Sequence, residues 1–260
     1  MFPIIPHMFF TESHEKIKRA LKHIYDFNSL FNDFFGSDFY SIHIDKDAEM
    51  RTNNIRFELH AFLDVTEAAL IIGDVLHNLR SALDLMYYQV VLRCNGNPTK
   101  WTRFPIRDTR QELEGFLNGA LKQKQITPAI QAFILDTIKP YKAGNYALWA
   151  VDDLNIMDKH QLLVPMLELM LIEGICLKDD KNIEIPIDPI FMDDSWSMRL
   201  RHLYGRNLTV HDKGHASSTI LFHLGTAFEG KAVLPALNGI AEEVTRTIEA
   251  FDILIGRGLL

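Results

Sequence analysis

The chain has 260 residues, of which 47% are hydrophobic and 23% are charged, so it can bury a large core and has an ordinary globular composition. Its formal net charge of −7 excludes a general attraction to nucleic acid or to an anionic membrane, and any contact with nucleic acid would need a local basic patch. Two distant cysteines, no basic leader and no long uncharged apolar run favour a soluble, cytoplasmic protein without a membrane partner.

The first half of the chain is mainly helical, with one early hairpin. Residues 11–35 have helical spacing of apolar residues after a start at Thr11 or Ser13. Two alternating segments then predict a β-hairpin within residues 40–62, joined by the polar loop DKDAEMRTNN. Further helices are predicted over residues 66–93, 109–123, 127–138 and 146–160. In the helix over residues 127–138, Thr127 is the cap and Pro128 is the first helical residue.

After Pro165 the pattern changes to short, partly alternating segments, which predict four strands of an antiparallel sheet within residues 164–230. A last amphipathic helix is predicted over residues 233–255. The layout predicts an α+β fold in a single domain, residues 1–260, with a mainly helical part (1–163), a β-rich part and a closing helix. Whether the early hairpin joins the later strands stays open at this point.

The segment GDVLHNLRSALD, residues 73–84, places a narrow polar stripe on an otherwise apolar helix. At 100° per residue, the stripe contains Gly73, His77, Arg80, Ser81 and Asp84. A helix that is apolar on its other sides is usually central, so these polar groups need partners. Arg80 and Asp84 are spaced to pair, and a glycine in a helix interior suggests close approach of another element or a ligand.

A second polar intrusion occurs in the helix over residues 146–160. Asn155 and Asp158 fall on the face that carries the apolar residues of that helix. We therefore expect the 73–84 and 147–160 helices to pack face to face, with Asp158 meeting Arg80 or His77. His160 would lie near the helix C-terminus, where the dipole favours a positive charge.

The two motifs together resemble those of a group of functionally uncharacterised bacterial and phage proteins. These share GDxxHNLRSALD and a later DKH, which here is Asp158–His160. Arginine usually follows DKH in that group, whereas this chain has Gln161. The resemblance covers residues 15–255 loosely and the motifs strongly. It implies a common fold with a β-rich C-terminal part and a common site, and it brings no known activity.

A more distant resemblance is to HEPN-like ribonucleases, helical proteins that cleave RNA without metal by means of an arginine and a histidine. That chemistry needs a base near the 2′-hydroxyl and a cation at the developing phosphorane. His77 and Arg80 are the right residue types, in reverse order and at closer spacing. RNLTVH, residues 206–211, matches the motif literally, but Gly205, Thr209 and Val210 predict a turn and a strand there.

Two classes of function remain open. One is a binding or structural protein in which a buried His/Arg/Asp network fixes how helices pack. The other is a metal-independent ribonuclease or phosphodiester hydrolase, in phage defence for example. Its candidate catalytic residues are His77, Arg80, Asp84, Asp158 and His160.

Exposure separates the two classes, because a catalytic stripe must open to a pocket and a structural stripe should be sealed. We expect neither a metal nor a cofactor. Arg80 would repel a divalent cation, HDKGH at residues 211–215 is typical of a surface loop, and no nucleotide-binding or serine-hydrolase motif occurs. Partners and oligomeric state stay unassigned.

Overall fold

The structure is a computed structural model that describes residues 9–49, 51–163, 165–167, 170–192, 197–200 and 203–258. It has the predicted α+β fold. The chain divides into two compact units: one comes from Met1–Phe27, Thr66–Val164 and Phe222–Leu260, the other from Asn28–Val65 and Pro165–Leu221. Each unit thus combines segments that are distant in the sequence.

The helices begin and end close to their predicted bounds, because their termini carry strong local signals. Thr109 caps one helix through a capping box with Glu112, and Thr127 caps the next with Pro128 in its first turn. Asn145 caps a third, its side chain accepting from the Leu148 N–H. The helices are α1 (Thr11–Gly36), α2 (Val65–Arg93), α3 (Arg110–Lys122), α4 (Pro128–Ala132), which continues as a π-helical turn (Phe133–Ile138), α5 (Tyr146–Asp158) and α6 (Val233–Gly256).

The first unit is helical and is built around α2. The apolar side predicted for this helix is buried, and so is the predicted apolar face of α6. In α1, Ile17, Ile24 and Phe27 are buried as their spacing predicts, whereas Leu21 is 47% exposed. Since its core-facing residues are almost all fully buried, α2 is the central helix that its composition predicted.

The second unit contains the strands, which pair antiparallel throughout its described residues. The early hairpin does join a later strand, because β2 pairs with β7. β4 pairs with β8 and also with β5 and β6, while β3 pairs with β9. The strands are β1 (Tyr40–Asp47), β2 (Thr52–Leu59), β3 (Met166–Leu167), β4 (Met170–Lys178), β5 (Glu184–Pro186), β6 (Ile190–Met192), β7 (Ser197–Leu200), β8 (Thr209–Ser217) and β9 (Ile220–Leu221).

Strand pairing corrects two local predictions. HDKGH, residues 211–215, is part of β8 and not a surface loop, because its backbone pairs with β4. Gly214, with φ of 70°, takes a conformation that side chains disfavour, and a Cβ there would overlap the Glu173 carbonyl oxygen of the paired strand β4. The hairpin loop is also shorter than predicted, since Asp47 pairs with Thr52. In both places backbone hydrogen bonds to a partner strand outweigh a polar local composition.

None of the helices in the described part of the chain is long and apolar enough to cross a membrane.

Candidate functional site

Arg80 is the centre of a buried polar network in the first unit. The residue is only 8% exposed. Its Nε donates to Asp152 Oδ1 at 2.6 Å, and its Nη2 donates to the Phe104 carbonyl oxygen at 2.9 Å. Arg80 therefore joins α2 to α5 and to the extended segment of residues 101–107 that precedes α3.

Asp84 also binds the backbone of the segment 101–107. Its Oδ1 accepts from the Phe104 N–H at 2.8 Å and lies 2.8 Å from Arg80 Nη1. Burial raises the pKa of Asp84, and the neighbouring Arg80 charge opposes that rise. The two residues are one helical turn apart, so together they fix both backbone polar groups of Phe104. We call Arg80 and Asp84, bound to the backbone of Phe104, the clamp. It explains why the polar stripe of α2 contains an arginine and an aspartate.

One donor of the network has no hydrogen bond. Arg80 Nη1 is buried and, among the described residues, makes only the ion-pair contact with Asp84. Buried donors without a hydrogen-bond partner are uncommon in folded proteins, and here the Asp84 carboxylate at 2.8 Å offsets part of the cost.

The network forms part of the wall of an open cleft of about 710 Å³, a size typical of small-ligand sites. Residues of α2, of the segment 97–107, of α3 and of α5 line it. Its charged lining is mainly positive: the cations are Arg80, Arg103, Arg107 and Lys159, and the anions are Asp84 and Asp152. His77, Ser81 and the buried Asn155 also line the cleft. A local positive surface therefore exists on a chain whose net charge is −7.

Two aromatic side chains in the lining are accessible. Trp101 is 71% exposed and Phe116 is 38% exposed. Each ring has a cation beside it: the Lys100 Nζ lies 5.1 Å from the Trp101 centroid, and the Arg107 Cζ lies 4.3 Å from the Phe116 centroid. The cleft thus combines positive charge with flat apolar surface.

The five predicted site residues lie in different surroundings. His77, Arg80 and Asp84 line the cleft, where His77 is exposed and lies outside the hydrogen-bonded network. Asp158 and His160 are outside the lining, and His160 is exposed. The expected contact of α2 with α5 is present. Of the two partners expected for Asp158, His77 lies close enough to lower its pKa, whereas Arg80 pairs with Asp152 instead.

Asp158 lies against Gly73 instead. A Cβ atom at position 73 would lie 2.5 Å from Asp158 Oδ2, so the Asp158 carboxylate can keep this position against α2 only beside a glycine, in line with the close approach that the sequence suggested. Asp158 Oδ1 is buried without a hydrogen-bond partner among the described residues. Burial raises the pKa of Asp158, the Asp74 charge raises it further, and the Leu163 N–H and His77 oppose the rise.

The residues missed at the sequence level are Asp152, Arg103, Arg107 and Lys159. A periodicity signal existed for two of them. Asp152 and Lys159 follow Leu148 at helical spacing and share its side of α5 with the buried Asn155. Nothing local marked Arg103 and Arg107, which precede α3 in a segment without regular structure.

The chain matches no known family model. Neither the curated proteins nor the solved structures contain a significant match. The resemblance to the uncharacterised bacterial and phage group therefore stays a prediction. Among the described residues, no three histidine, cysteine, aspartate or glutamate side chains are arranged to hold a metal ion.

Proposed function

We propose that the protein binds a phosphate-bearing ligand in this cleft, and that the Arg80, Asp84 and Asp152 network holds the cleft wall in place. The observation that carries the proposal is the excess of cations in the lining. Arg103, Arg107 and Lys159 line the cleft, and none of them has an ion pair with another described residue. Unpaired cations in a concave site attract and orient an anion.

The contacts of Arg80 support a structural role for that residue. Its Nε and Nη2 already donate to protein acceptors, and its charge faces two carboxylates. A substrate would have to compete with these partners. Within the described part of the chain, Arg103 and Lys159 make no hydrogen bond or close ion pair through their side chains, and both are exposed, so we assign first contact with the ligand to them.

A second candidate is metal-independent cleavage of RNA. The observation that favours it is that His77 is exposed, lines the same cleft and lies one helical turn from Arg80. His77 would accept the proton of the 2′-hydroxyl as its oxygen attacks the adjacent phosphorus. The P–O5′ bond would break, the leaving oxygen would take a proton from water, and a 2′,3′-cyclic phosphate would form. Arg80 Nη1 is buried and lies 2.8 Å from Asp84 Oδ1, so it would stabilise the developing negative charge only after this ion pair opens.

Binding is tested by isothermal titration calorimetry of the whole chain with inorganic phosphate and pyrophosphate. The variant carries both Arg103→Gln and Lys159→Gln. The control is Lys22→Gln on the exposed face of α1. We expect pyrophosphate to bind the wild type and the control alike, with an affinity that falls as salt rises. The double variant should weaken binding about tenfold or more, as expected for two lost charge contacts. Equal affinities in all three proteins, or no binding to the wild type, would contradict the proposal.

Cleavage is tested separately with a single-stranded RNA that carries a fluorophore and a quencher, in the presence of a chelator. The second candidate predicts cyclic-phosphate products with the wild type and none with His77→Ala. Because His77 is exposed and outside the hydrogen-bonded network, this variant should fold as the wild type does. Absence of cleavage by the wild type rejects the enzyme and leaves the binding proposal standing.

A further inference from the structure

The face of α3 that borders the cleft is bare. Gly115 and Gly119 are one helical turn apart, and both line the cleft. A Cβ atom at either position would have no neighbour within 4 Å. Glycine destabilises a helix interior relative to alanine, and here no packing contact requires it. The remaining structural effect of the two glycines is to leave the backbone of α3 open towards the cleft.

Accessible rings lie beside this bare face. Phe116 is adjacent to Gly115 in α3, and Trp101 belongs to the segment 97–107, which lines the same cleft. Large aromatic side chains are usually buried, so two accessible rings in one concave site indicate a surface for stacking. A flat ring can approach glycine backbone and aromatic faces closely, whereas a branched or bulky group cannot.

The other groups of the lining suit the rest of such a ligand. Arg103, Arg107 and Lys159 supply charge for a phosphate. Gln123 and Asn155 supply side-chain amides, which both donate and accept hydrogen bonds and so can pair with the edge of a heterocyclic base. Phosphate contacts, a stacking surface and amide groups within one cleft of about 710 Å³ are the parts that a nucleotide needs.

We propose that the ligand is a nucleoside phosphate. Its base lies against the surface formed by Trp101, Phe116 and the bare face of α3, and its phosphate lies at Arg103, Arg107 and Lys159. This inference rests on the proposed phosphate-binding function and adds the base to it. The charges alone would accept any small phosphate compound, whereas the rings and glycines select a ligand with a flat ring.

The test compares three probes by calorimetry: AMP, adenosine and inorganic phosphate. We expect AMP to bind wild type about tenfold or more tightly than either of its parts, since one stacked base contributes that much or more. Trp101→Leu should remove this advantage and leave phosphate affinity unchanged.

Gly115→Leu tests the bare face independently of stability. Leucine favours a helix more than glycine, and nothing lies near the new Cβ, so this variant should raise Tm while its side chain enters the cleft and weakens AMP binding about tenfold or more. The matched control is Gly239→Leu in α6, also exposed and without neighbours within 4 Å. It should raise Tm as well and leave AMP affinity unchanged. A destabilised variant could lose binding by unfolding, but a stabilised one could not.

The outcomes separate this inference from the function on which it rests. If AMP binds no more tightly than phosphate, the nucleoside phosphate is rejected and phosphate binding stands. If AMP binds tightly but Trp101→Leu and Gly115→Leu both bind it as wild type does, the base lies elsewhere and the inference fails. If neither phosphate nor AMP binds, both proposals fail.

Discussion

Replacing Arg80 with alanine tests whether the polar stripe of α2 holds the fold together. The change would leave Asp84 and Asp152 without their cationic partner and the Phe104 carbonyl without its donor. Removing one partner of a buried ion pair costs about 3–5 kcal/mol. We expect the low end, about 3 kcal/mol, because the Asp84 and Asp152 side chains keep 27% and 25% of their exposure and water can reach them.

At about 2–4 °C of Tm per kcal/mol for a chain of this size, the expected drop is about 6–12 °C. Differential scanning calorimetry at neutral pH is the suitable measurement, because it resolves separate transitions if the two compact units unfold independently. Arg80→Lys keeps the positive charge but lacks the planar guanidinium that reaches Asp84, Asp152 and the Phe104 carbonyl oxygen together. The Tm of this variant should therefore lie between those of wild type and Arg80→Ala.

His77→Ala is the matched control. His77 is on the same helix, one turn away, but it is exposed and outside the hydrogen-bonded network, so its loss should change stability by no more than about 0.5 kcal/mol. A Tm of Arg80→Ala within about 2 °C of that of His77→Ala would refute the clamp. It would mean that Arg80 is held at no benefit to stability, as reacting groups often are, and would favour the nuclease.

Two further predictions concern the contact between α2 and α5. Gly73→Ala should lower Tm despite the better helix propensity of alanine, because the new Cβ would overlap the Asp158 carboxylate. Gly239→Ala in α6, where a Cβ meets no neighbour, should raise Tm. Equal Tm shifts of the two variants in thermal unfolding would contradict the close approach. The pKa of Asp158 is higher in the folded chain than its value of 3.8 in the unfolded chain. Ionisation of Asp158 therefore lowers the free energy of unfolding, by the full amount above the folded pKa and not at all below pH 3.8. We therefore expect Asp158→Asn to raise Tm at neutral pH and the gain to disappear as pH falls towards the unfolded value; a gain that persists in acid would show that charge is not its cause.

The local features of this protein could be predicted from its sequence. Helix bounds followed from signals such as the Thr127 cap with Pro128 after it, and from apolar periodicity, which act within a few residues along the chain. The same reasoning found the buried side of α2, the need for glycine at position 73 and the Arg80–Asp84 pair. These features could be predicted because a helix brings together residues three and four positions apart, so their contacts are already present in the order of residues.

Contacts between distant segments could not be predicted in this way, because they depend on how the helices and strands pack. The pairing of β2 with β7 and of HDKGH with β4 depends on which strand supplies the backbone hydrogen bonds, and short strands carry little local signal for that choice. Asp152 rather than Asp158 meets Arg80 because the crossing of α2 and α5 sets which turn of α5 faces the guanidinium. The cleft depends on where the segment 97–107 and α3 lie against α2, which is fixed by Phe104 in a contact across the fold and not by any pattern along the chain.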